Sequence, residues 1–204
     1  MNRHRRFVTA TALVVAPLLL VGCTPAPATT TEPITTGSTT AATPFQIMCT
    51  PVVGNTTPTP CTQAEYDKLR QQRQDYAAAE KVYRAFFDED VKLLKSGELA
   101  TPEVRLLLAG PMIDQYEMDK KRQHDAGVTG VGEVKLAYVR PSAATLKDGS
   151  QIALDVCKDG SGVAAYRDGV PAGNASIVRG HAFLTRVDGV FKIWSLDGEV
   201  VGSC

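Results

Sequence analysis

Apolar residues follow two different rhythms along this chain. From Gln63 to Ser96 no proline or glycine intervenes, and Tyr76, Ala79, Tyr83, Phe86, Phe87, Val91 and Leu94 recur at spacings of three and four, one face of a helix. Thr62-Gln63-Ala64-Glu65 opens it as a capping box, the threonine side chain bonding forward and the glutamate reaching back. Its first half is polar, with Gln71, Gln72, Arg73 and Gln74 in succession, so the core-facing stripe belongs to the second half. Thr101-Pro102-Glu103 starts a second helix that runs through Leu106, Leu107 and Leu108 to a stop at Gly110. A third is expected from Pro111 to Ala126, with Ile113, Tyr116 and Met118 inward and Gly127 as its C-cap.

Beyond Gly127 the rhythm changes to alternation. Val134, Leu136 and Tyr138, then Ile152, Leu154 and Val156, alternate with smaller or more polar residues, the pattern of strands with one buried face. Asp-Gly pairs at 148–149, 159–160, 168–169, 188–189 and 197–198 are turn signals. Between them lie expected strands at Glu133–Arg140, Gln151–Cys157, Ser176–Val187 and Val190–Leu196. The glycine-rich run Gly127–Gly132 reads as a connection, since its spacing and its helix-to-strand position are both wrong for a dinucleotide loop. Helices first and an antiparallel meander after them predict an α+β domain over residues 61–204.

A two-residue turn at Asp188-Gly189 sets an expected register for the last hairpin. Phe183 then faces Trp194 and His181 faces Leu196 on one side, while Leu184 faces Ile193 and Arg186 faces Phe191 on the other. Both sides are apolar, and periodicity does not choose between them. With Phe191 and Ile193 inward, Phe183, Trp194 and Leu196 form an outward patch suited to a protein partner or a homodimer. With the faces inverted, Trp194 is core.

The N-terminus has a different character. Arg3, Arg5 and Arg6 precede an apolar run from Phe7 to Val21, too short for a comfortable span and built like a secretory signal. It ends in Leu20-Val21-Gly22-Cys23, which resembles the bacterial lipobox. The resemblance implies cleavage after a signal peptide of residues 1–22, lipidation of Cys23, and an extracytoplasmic protein held on the membrane by its acyl chains. Residues 24–60 carry 13 Thr, 7 Pro and a single charge, Glu32, so residues 23–60 read as a tether, with Phe45-Gln46-Ile47-Met48 as an apolar island.

The formal net charge of the whole chain is zero, which provides no basic face for nucleic acid. The 44% hydrophobic content is too high for a wholly disordered protein. A long helix, two shorter ones and a curved meander ending in Asp188-Gly189-Val190-Phe191-Lys192-Ile193 resemble the nuclear transport factor two-like cone fold. That family hosts both enzymes and binding modules, so the fold alone leaves function open.

With Cys23 lipidated, four cysteines remain in an exported chain, and four allow three pairings. In a meander the second and fourth strands run parallel, so Cys157 and the Cys204 tail share one end of the sheet, and Cys49 and Cys61 flank a short loop. The expected bridges are Cys49–Cys61 and Cys157–Cys204. No metal site is expected, because no C-x-x-C pair and no His at ligand spacing is present. No cofactor motif, G-x-S-x-G or H-E-x-x-H occurs either. His124 suits a helix C-terminus, and His181 lies on a strand beside Arg179 and Phe183. The expected function is a non-catalytic envelope module that binds or scaffolds. The alternative is an isomerase or cyclase acting in the cone pocket, with Tyr83 as proton donor and Asp114 as base.

Overall fold

A computed structural model describes residues 46–54 and 57–204. Residues 1–22, expected as a signal peptide, lie outside the described residues, as do Cys23 and Phe45. Two short strands come first, β1 (Met48–Cys49) and β2 (Thr59–Pro60), paired antiparallel and closed by the Cys49–Cys61 disulfide. Within residues 46–54 and 57–60, tether by composition, there is therefore ordered structure, and Val52 and Val53 pack against the core.

The long helix α1 spans Gln63–Ser96. Its capping box is complete: Glu65 N donates to Thr62 Oγ1 at 3.3 Å and Thr62 N donates to Glu65 Oε2 at 2.7 Å. Gly97 ends it in the left-handed conformation, with φ at 71°. Helix α2 covers only Pro102–Leu106, shorter than the leucine run suggested. The cause is tertiary: Leu107 O accepts from Ile193 N and Ala109 N donates to Ile193 O, both at 2.8 Å, which draws this segment alongside the last strand. Helix α3 spans Pro111–Asp125 and buries Met112, Tyr116 and Lys120. Met118, expected inward, is 55% exposed.

Seven further strands follow: β3 (Val128–Gly132), β4 (Lys135–Pro141), β5 (Ile152–Asp159), β6 (Val163–Arg167), β7 (Val170–Asn174), β8 (Ile177–Val187) and β9 (Val190–Val201). They form a four-stranded antiparallel sheet in the order β4-β5-β8-β9 and a three-stranded one in the order β3-β6-β7. The glycine-rich run expected as a connection is β3, paired with β6. Gly130 lets it lie close, since a Cβ there would stand 2.9 Å from Val163 and 3.0 Å from Leu94. Asp168-Gly169 and Asp188-Gly189 both have positive φ and make two-residue hairpin turns. Asp197-Gly198 is not a turn but lies inside β9, where Gly198 faces Gly180. A Cβ on Gly180 would meet Asp197 O at 2.0 Å, so the two strands approach there as only glycine permits.

One core joins these parts. Tyr76, Tyr83, Phe86 and Leu93 of α1 pack with Leu108, Met112 and Tyr116 against Leu154, Val156, Leu184, Phe191 and Ile193 of the sheet. Phe191 and Ile193 thus point inward, which decides between the two arrangements open to the last hairpin. The architecture is α+β, a long helix and two short ones against antiparallel sheets not closed into a barrel. Cys157, fully buried on β5, bonds Cys204 beyond β9, and both disulfides follow the expected pairing.

Candidate functional site

On each of two facing helices a charged residue stands in register with the buried stripe. Asp90 follows Phe86 by four residues on α1, and Lys120 follows Tyr116 by four on α3. They meet: Lys120 Nζ lies 2.7 Å from Asp90 Oδ1, and the Tyr116 hydroxyl donates to the same oxygen at 2.8 Å. Lys158 of β5 approaches the other carboxylate oxygen at 3.6 Å. The Lys120 side chain is 6% exposed and that of Asp90 22%, so most of this pair is shielded from water.

Burial opposes ionisation of Asp90, but the Lys158 and Lys120 ammonium groups, with hydrogen bonds from Lys120 and Tyr116, outweigh it and hold the carboxyl below its ordinary range. Burial first, then the Asp90 charge, pushes the Tyr116 hydroxyl well above the usual tyrosine range. The two groups are thereby fixed as carboxylate and phenol. The cluster supplies static charge and a hydroxyl donor, and neither partner is tuned to exchange a proton near neutral pH.

This cluster floors a cleft of about 540 Å³ between α1, α3, β5 and β9. Its walls mix apolar residues, Phe86, Met112, Trp194 and Leu196, with Gln115, Gln123 and Ser195. Lys158 also lines two smaller cavities of about 200 and 280 Å³. A second groove, of about 550 Å³, runs over the outer sheet face. There Arg140, Asp155, His181 and Asp197 stand in one row across β4, β5, β8 and β9. The row pairs its own charges: Arg140 to Asp155 at 2.7 Å, and Asp197 to His181 at 3.1 Å and to Lys147 at 3.0 Å. Such exposed, self-paired charges are each worth little.

The residues expected to act together are placed apart. Tyr83 is 1% exposed, its ring 6.1 Å from Phe86, and it lines the cavity of about 280 Å³ rather than the cleft above Asp90. Asp114 is exposed on α3 and lines neither the cleft nor that cavity. His124 Nδ1 lies 2.8 Å from Gly97 O, beyond the C-terminal end of α1.

The outward patch is also divided. Trp194 is an extra residue in β9: Leu184 pairs with Ile193 and Phe183 with Ser195, so a β-bulge shifts every later pair by one. His181 therefore faces Asp197 rather than Leu196. Leu196 turns to the helix side and packs against the core. Phe183 stays on the outer face but is 2% exposed, with Lys147 Nζ 4.6 Å from its ring centroid. Trp194 is half-buried: its Nε1 donates to Asp148 O at 2.8 Å, and its ring occupies space where a Cβ on Gly110 or Gly149 would stand.

Sequence reading missed Asp90, Lys120 and Lys158. The signal was present, an acid and a base each standing in the apolar register of a neighbouring helix. No family model and no curated protein matches the chain. Two solved structures are similar. One is the crystal structure of the intermembrane space region of the chloroplast protein ARC6, 14% identical over 62% of this chain and 97% of that one, with a TM-score of 0.41. The other is the solution NMR structure of a de novo β-sheet design protein, 13% identical over 63% of this chain and 92% of that one, with a TM-score of 0.33. At these scores neither likeness bears on function.

Proposed function

We propose that this protein is a lipid-anchored envelope module that displays its α+β domain outside the cytoplasmic membrane and binds a small ligand, without transforming it, in the cleft between α1, α3 and the sheet. The observation that carries the binding half of this reading is Asp90 held ionised between two lysines and a tyrosine hydroxyl. That is a fixed electrostatic floor in a cleft within the usual volume range of ligand sites. The lipobox-like Leu20-Val21-Gly22-Cys23 supports the anchor, and two disulfides suit an oxidising compartment.

Membrane fractionation with intact-mass measurement tests the anchor. The native chain is expected with membranes, carrying acyl mass on an N-terminal Cys23. Cys23→Ser is expected free of the membrane or as an uncleaved precursor. A mature native protein without acyl mass, beginning beyond Cys23, contradicts the proposal.

A further inference from the structure

Lys158 sits where three cavities meet, and its ammonium is under-used. Its one contact among the described residues is Asp90 Oδ2 at 3.6 Å, beyond hydrogen-bond length, although an ammonium carries three donors and this side chain is only 30% exposed. Lys120, by contrast, is satisfied by Asp90 at 2.7 Å and Gln123 at 3.4 Å. Asp90 thus neutralises one lysine and leaves the other in charge excess. The remaining acid of the cleft, Asp119, does not cancel that excess, because Arg122 pairs with it. The floor therefore carries one net positive charge with donors to spare, beneath an apolar wall of Trp194 and Leu196.

We propose that the cleft takes a small organic monoanion, a carboxylate with an apolar body, the carboxylate on Lys158 Nζ and the body against Trp194 and Leu196. This rests on the cleft being a binding site, as proposed above. One net charge matches a monoanion better than a phosphate dianion, which calls for several donors in a fork or nest. A half-shielded ammonium favours an anionic partner more strongly than a fully solvated one does.

The test uses the full chain in lipid nanodiscs, with empty nanodiscs as blank, and two probes read by fluorine NMR line broadening: 4-(4-fluorophenyl)butyrate and its primary amide. The acid is expected to bind with a Kd of about 1 mM or tighter and the amide about tenfold more weakly. Lys158→Gln is expected to reduce the acid to the level of the amide, whereas Lys158→Arg keeps the preference; unchanged melting of both variants shows that the fold is intact. Equal binding of acid and amide to the native chain overturns the monoanion inference while leaving a binding cleft. Binding of neither probe overturns both. Acid binding unaffected by Lys158→Gln overturns the assignment to Lys158.

Discussion

Replacing Asp90 with asparagine keeps the shape of the side chain and removes its charge. Lys120 is then a 6%-exposed ammonium whose counterion is gone, and Tyr116 loses a charged acceptor. Stripping one partner from a buried ion pair costs about 3–5 kcal/mol. Asp90 is itself 22% exposed, so the low end applies, about 3 kcal/mol. For a domain of this size that is a fall in melting temperature of about 6–12 °C. Urea denaturation at neutral pH reads the loss directly. Adding Lys120→Met to Asp90→Asn removes the orphaned ammonium as well and is expected to recover much of the stability. The pH dependence follows from the lowered carboxyl of Asp90. Its contribution is full above the unfolded aspartate value of about 3.9 and is lost as pH falls through the lower folded value, so the gap between the two proteins closes in acid. A cost below about 0.5 kcal/mol, the level of an ordinary surface change, would refute a buried ion pair at this place.

Two further outcomes are expected. Removing the Cys157–Cys204 bridge with paired alanines frees a 47-residue span and should cost about 4 kcal/mol by chain entropy, measured as the shift in urea midpoint; native-like stability contradicts it. Gly110→Ala places a Cβ among the Trp194 ring atoms at a φ of +53° and should cost about 1–3 kcal/mol and move the emission of the only tryptophan, whereas Gly169→Ala, open at φ +76°, should leave the emission in place.

The helical half was legible because its signals are local. The capping box, the glycine at 97 and the stripe on α1 depend on no distant residue. The Cys157–Cys204 bridge followed from meander geometry, which places Cys157 and the C-terminus at the same end of the sheet, and Cys49–Cys61 from the short loop between them. What escaped depends on tertiary context. Alternation assumes an uninterrupted ladder, so it cannot show that Trp194 is an inserted residue, and one bulge moves Leu196 from the outer face to the core side. Thr/Pro-rich composition argues against burial, yet a 12-residue disulfide loop orders part of residues 46–60 against α1. Asp90 and Lys120 drew no notice because each helix was considered alone; their buried register has meaning only when the two stripes face each other.

The proposed function depends on Asp90 being a permanent carboxylate rather than a proton acceptor. Its side-chain carbonyl shift, followed by carbon-detected NMR against pH and assigned with Asp90→Asn, measures that property. The expected titration lies below the ordinary aspartate range, with the carboxylate ionised throughout neutral pH. A midpoint raised toward neutrality would make Asp90 a competent base beside Tyr116 and contradict the account.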